Sequence, residues 1–169
     1  MDLDLTQEQQ LVRATVREFA LEKVAPVAEE LDRESRFPYE LVAELGELGL
    51  MGLPIPEEYG GAGGDTVSYA LAIEELTRID SSVAITVAAH TSLGTMPIHL
   101  FGTEKQKREW LPDLASGRRL AAFGLTEPGA GSDAGNTRTT AELRDGSWVV
   151  NGSKLFITNA GTDISWGVT

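Results

Sequence analysis

The chain has 169 residues, enough to bury a core in one domain or two small ones, and carries 26 acidic against 14 basic side chains, a formal charge of −12. That charge repels nucleic acid and anionic membrane surfaces, so neither is expected as a partner. The absence of cysteine excludes a disulfide framework, a thiolate metal site and a cysteine nucleophile.

The opening Met1-Asp-Leu-Asp-Leu-Thr-Gln-Glu has neither the basic region nor the apolar core of a leader, so a cytoplasmic protein is expected. Thr6 and Gln9 form a capping box. Leu11, Val12, Val16, Phe19, Ala20 and Val24 follow at helical spacing, predicting a first helix that runs until Pro26. Pro38 starts a second, with Leu41, Val42, Leu45 and Leu48 on its apolar face and Gly49 as its cap. Two prolines and four glycines between Pro54 and Gly64 predict a long ordered loop.

Helical patterning resumes from Thr66 to about Ile79, with Val67, Ala70, Leu71 and Glu74 on successive turns. Asp80-Ser-Ser82 caps the next helix, whose small apolar run Val83 to Ala89 reads as a segment buried in a bundle that can also wall a pocket. This run is far too short to span a bilayer. Pro97 starts or bends a helix within Leu93 to Phe101, and Thr103 with Gln106 heads a short amphipathic helix through Trp110 and Leu114. The expected fold is α+β: an N-terminal all-α helical bundle over residues 1–117, then an incomplete antiparallel β domain over 118–169.

The segment Phe123-Gly-Leu-Thr-Glu-Pro-Gly-Ala-Gly-Ser-Asp-Ala-Gly135 concentrates glycines, two hydroxyls and two carboxylates in one strand-to-loop transition. Its glycines let the main chain approach a ligand closely, and its amides, with Thr126 and Ser132, can donate to phosphate or a polar ring edge. Gly129 to Ala134 also satisfies a dinucleotide fingerprint, but that motif requires a helix directly afterwards. Here Thr137 to Leu143 alternates and is rich in β-branched residues, and Asp145-Gly146 and Asn151-Gly152 flank Trp148-Val-Val150 as hairpin turns. An antiparallel meander is therefore expected, with the glycine segment either a ligand loop or an ordinary surface loop.

His90 and His99 lack local partners for metal or acid–base work and read as packing or surface residues. Glu57-Glu58 and Glu74-Glu75 read as solvated charge, and neither a serine-hydrolase elbow nor a phosphate-binding P-loop occurs. In Lys154-Leu-Phe-Ile-Thr158, a strand would put Phe156 and Thr158 on one face and Ile157 on the other. That face is either a wall for a planar ring or simply exposed.

Phe123 to Asp133, Asn-Gly-Ser-Lys-Leu-Phe-Ile-Thr-Asn-Ala at 151 to 160, and Phe-Gly-Thr-Glu-Lys-Gln-Lys at 101 to 107 together resemble the acyl-CoA dehydrogenase family. The likeness continues through Gly49 to Gly61, Ile73-Glu-Glu-Leu76 and His90-Thr-Ser-Leu-Gly94. It implies FAD as cofactor, an acyl-CoA thioester oxidised across its α and β carbons, an electron-transferring flavoprotein as acceptor, a role in fatty acid metabolism, and a homotetramer. By similarity Phe123, Gly124, Leu125 and Thr126 line the isoalloxazine, with Thr126 on its pyrimidine side. Ser132 contacts cofactor or CoA, Phe156, Ile157 and Thr158 pack on the flavin with Thr158 near N5, and Ala89, His90 and Leu93 shape the acyl pocket.

Phe156 stands where many relatives have tryptophan, and Asn136 where a small residue is usual. The family's catalytic glutamate comes from a C-terminal helical domain, so no catalytic residue is expected here. Residues 118–169 are expected to be a truncated β-barrel-like middle domain of a longer enzyme. The isolated chain is then inactive. Two alternatives stand beside this reading: a same-fold flavin monooxygenase or nitroalkane oxidase, and a non-catalytic helical interaction module.

Overall fold

The computed structural model describes residues 4–168; Met1–Leu3 of the leader reading and Thr169 lie outside the described residues. Its α+β architecture sets α-helices first and short strands after. Helix α1 is Gln7–Phe19, opened by the Thr6–Gln9 capping box and prolonged by a π-helical stretch, Ala20–Val24. Short helix α2, Ala28–Glu34, was not anticipated from the sequence, and α3 is Tyr39–Glu47 with Pro38 at its N-cap. The loop between Pro54 and Gly64 holds one 3-10 turn, Glu57–Tyr59.

Helices α4, Thr66–Thr77, and α5, Ser81–Ala88, are capped by the carboxylates of Asp65 and Asp80. A second π-helical stretch, Ala89–Thr95, links α5 to α6, Met96–Phe101, and α7 is Glu104–Ala115 behind the Thr103–Gln106 box. Val16, Leu45, Met51, Leu76 and Val83 belong to the larger core, built around α1, α3, α4 and α5, and Ile55, Tyr59, Leu111 and Ala115 form a smaller one. Replacing the cap by Thr6→Ala should lower stability by about 1 kcal/mol, read as a shift in urea midpoint with unchanged slope. The capping box predicts that loss because Thr6 Oγ1 accepts the Gln9 amide at 3.2 Å and Gln9 Oε1 accepts the Thr6 amide at 3.0 Å.

Two readings of the helices change. On α4 the buried residues are Ser68, Ala72, Glu75 and Leu76, while Val67, Ala70 and Glu74 face outward. Apolar side chains surround this helix, so periodicity alone does not orient it; polar ties to α1 do. Gln9 Nε2 donates to Asp65 at 2.7 Å, and Arg17 donates twice to Glu75, at 2.9 and 2.6 Å. Glu75 is thus a buried carboxylate rather than solvated charge, its pKa lowered first by the Arg17 hydrogen bonds. In the run Val83 to Ala89, Ile85 is exposed, so one side of that segment leaves the core.

The strands are β1, Leu120–Phe123; β2, Thr140–Arg144; β3, Ser147–Asn151; and β4, Ser165–Val168. β2 and β3 form the antiparallel hairpin expected at Asp145-Gly146, both of which take positive φ. β1 instead pairs in parallel with β4, in the register Ala121↔Trp166. The Asn151-Gly152 turn does not form: Asn151 ends β3 and the chain runs on without regular structure to 157. Gly152 serves close packing, since a Cβ there would collide with the Thr139 hydroxyl and sit 2.8 Å from its Cα.

Candidate functional site

The two motif segments, separated in sequence by the hairpin, meet in space. The Leu155 amide donates to the Thr126 carbonyl at 2.8 Å, and a Cβ placed on Gly124 would reach the Lys154 side chain at 3.3 Å and Ile157 at 3.5 Å. Gly124 is buried, Phe123, Thr126 and Ile157 are half-buried, and Leu125, Ser132 and Thr158 are exposed. Phe156 is 89% exposed. The result is a shelf: a packed floor at Gly124 and Ile157 under an apolar and hydroxylated surface.

The strand geometry expected for Phe156 to Thr158 is corrected. Phe156 and Asn159 have φ of 56° and 68°, which breaks any extended run, and 158–160 form a turn. Phe156 and Thr158 reach the surface by this irregular backbone. A bulky residue in the left-handed region is uncommon and is held there by its surroundings.

Glu127 and Lys154 organise the shelf. Glu127, 7% exposed, accepts from the amides of Arg138 at 2.6 Å and Thr139 at 3.0 Å and from Lys154 Nζ at 2.9 Å. Lys154 Nζ also donates to the Leu125 carbonyl at 3.0 Å. Lys154 first, then the Thr139 and Arg138 hydrogen bonds, hold the carboxyl down at about 2. The neck of the glycine loop is therefore pinned to both motif segments, and at its tip Cβ atoms added to Gly129 or Gly131 would meet nothing within 4 Å. The signal for this role was present: an acid inside the glycine motif, with no cation beside it in the chain.

Glu127→Gln should raise trypsin cleavage after Arg138 several-fold while leaving the helical part protected, and Lys154→Ala should do the same without adding to it. The folded carboxyl lies below its ordinary value. Its contribution is therefore whole above the usual carboxylate range and is lost as pH falls toward about 2.

Of the helix residues expected at an acyl pocket, Leu93 is 47% exposed, whereas Ala89 and His90 are buried. His90 packs as the residue pattern suggested: with no exposed surface, its ring bonds to the backbone of neighbouring elements. Burial, partly opposed by the Leu114 and Met51 backbone, lowers its pKa to about 4, so it is neutral. His99 is half-buried, near Tyr59 with ring centroids 6.1 Å apart. Among the described residues no group of three or more His, Cys, Asp or Glu side chains could hold a metal ion. No helix among them is long and apolar enough to cross a membrane.

A helical part leading into a strand pair, with two loop segments joined beside it, defines a domain pair that the comparisons identify. Residues 6–118 match the acyl-CoA dehydrogenase N-terminal domain and residues 122–168 the acyl-CoA dehydrogenase middle domain, so the chain belongs to the acyl-CoA dehydrogenase family. An acyl-CoA dehydrogenase of Bacillus subtilis is 52% identical over 159 residues, covering 94% of this chain and 42% of that protein. A chain in a structure of the electron transferring flavoprotein of Acidaminococcus fermentans is 46% identical with a TM-score of 0.92, covering 95% of this chain and 42% of that one. An acyl-CoA dehydrogenase complexed with FAD from Bacillus anthracis is 46% identical with a TM-score of 0.88, covering 93% of this chain and 27% of that one. The chain thus spans about two-fifths of the length of the curated relative, 42%.

Proposed function

We propose that the whole protein is an FAD-dependent dehydrogenase that oxidises an acyl-CoA thioester across its α and β carbons, and that this chain supplies part of its flavin and acyl pockets. The observation that carries this reading is the union of Phe123–Thr126 with Leu155–Thr158 through the Leu155–Thr126 hydrogen bond and Lys154. The residues fit a flavin. Leu125, Leu155 and Phe156 offer exposed apolar surface for a planar ring, and half-buried Thr126 and exposed Thr158 carry hydroxyls in the same two segments. FAD, when bound, supplies the hydride acceptor.

The chain's own residues orient and polarise. Thr126 and the amides around it would donate to the electron-rich edge of the ring, which favours charge building up there. Thr158 would lie toward the hydride-accepting side, and Ile157 beneath would exclude water. Ser132 would meet cofactor or CoA, and Leu93 the acyl chain. The proton-abstracting carboxylate is not assigned to any residue here. Residues 1–117 and 118–169 are read as the two domains, the electron acceptor as an electron-transferring flavoprotein, the assembly as a homotetramer. The cysteine-free sequence supports a cytoplasmic setting.

Anaerobic mixing of the FAD-loaded whole protein with a series of acyl-CoA thioesters tests this. Bleaching of the flavin absorption is the expected result. No bleaching with any thioester would sink the reading, and rapid oxygen consumption would favour the oxygen-reactive relatives.

A further inference from the structure

We propose that His90 and Asn159 are positioning residues that grip the amide and the carbonyl of one residue, Ala121, and thereby fix the spacing of the two segments that form the shelf. The shelf's ligand follows the flavin reading; the grip itself does not depend on it.

Among the described residues, strand β1 has a strand partner along one edge, β4. The Leu120 amide donates to the Ile164 carbonyl at 2.9 Å, toward β4. Successive residues of a strand direct their N–H and C=O to opposite edges, so Ala121 presents both groups to the side without a strand. A buried backbone group left unpaired there is costly. Two side chains take the strand's place. The Ala121 amide donates to His90 Nδ1 at 2.9 Å, and Asn159 Nδ2 donates to the Ala121 carbonyl at 3.3 Å.

Both grips are anchored on the helical part. Because Nδ1 accepts, the neutral ring carries its proton on Nε2, which the Leu114 carbonyl receives at 3.1 Å. Thr95 Oγ1 lies 3.3 Å from the same nitrogen and donates to the His90 carbonyl at 2.9 Å. Asn159 Nδ2 also donates to the Thr86 carbonyl at 2.9 Å, one helical turn before His90. Donating to two carbonyls fixes which way the amide points. Ser165 Oγ donates to the Asn159 carbonyl, so the same residue reaches β4.

The placement gives the grip its consequence. Ala121 lies two residues before Phe123, and Asn159 directly follows Thr158. A histidine present only to fill space would not need both ring nitrogens matched to carbonyl and amide groups of α7 and β1. The matched pair ties the start of one segment to the end of the other through one turn of helix.

Amide hydrogen exchange of the whole protein without ligand tests this, together with FAD titration followed by flavin fluorescence. His90→Leu removes both ring bonds, Asn159→Gly removes the amide while tolerating the left-handed backbone, and His90→Asn keeps an acceptor for Ala121. We expect His90→Leu and Asn159→Gly each to speed exchange on the order of tenfold in both 120–126 and 156–160, with α1 and α3 unchanged. His90→Asn should restore protection, and FAD affinity should fall and recover in parallel. Faster exchange confined to the substituted segment, or equal acceleration in α1 and α3, would overturn the grip. If His90→Leu does not fold, Asn159→Gly decides alone. A wild-type protein that takes up no FAD refutes the flavin reading, while the exchange result still decides the grip.

Discussion

Gly94→Val should destabilise the chain by about 3 kcal/mol, near the upper end of what overpacking a well-filled site costs. Gly94 is a buried residue of the π-helical stretch, where an added Cβ would collide with the Ala121 Cβ and come within 3.1 Å of its Cα. The obstacle is a strand rather than the end of a flexible side chain, so relief requires moving β1 off the helix. That movement also carries Phe123 to Thr126. The control is Gly129→Ala, whose Cβ meets nothing within 4 Å and which should stay within ~0.5 kcal/mol of the parent. Urea unfolding of both variants checks the pair, and a Gly94→Val midpoint equal to that of Gly129→Ala would refute the close contact.

Stability should also fall by roughly 3 kcal/mol as pH drops from 6.5 to about 4, through His90 alone. The folded ring titrates at about 4 because burial disfavours its charged form, against 6.5 for the free side chain. Between these values the unfolded chain binds a proton that the folded chain refuses, so unfolding becomes easier as acid is added. Above 6.5 neither state binds it and the contribution is whole; below about 4 both do and the loss is complete. Denaturant titrations across this window should show a steeper slope in the parent than in His90→Asn, whose remaining slope comes from carboxylates held below their ordinary values, such as Glu75 and Glu127. A His90→Asn profile with the parental slope would assign the effect elsewhere.

Local chemistry was legible in the sequence because its partners lie three residues away. The boxes at Thr6–Gln9 and Thr103–Gln106, the Asp80 cap and the Asp145-Gly146 turn all formed as read. The resemblance implied that the two motif segments lie together, and the Leu155–Thr126 hydrogen bond brings them into contact. What escaped depends on partners far along the chain. Glu75 looked solvated because Arg17 is 58 positions away, and His90, read as a packing or surface residue, gave no sign of the partners Leu114 and Ala121, 24 and 31 positions away. The face of α4 was misread because its apolar residues surround the helix, leaving polar ties to choose. Phe156 to Thr158 was read as a strand because alternation carries no sign of a left-handed residue within it.

That left-handed Phe156 has a thermodynamic consequence. Holding a bulky residue at a φ of 56° costs on the order of 1–3 kcal/mol, and a ring that is 89% exposed recovers little of it by burial. The fold carries that cost while one aromatic face points outward. On the proposed flavin reading, a ring stacked on this face would bury it, so the melting temperature should rise as FAD is added.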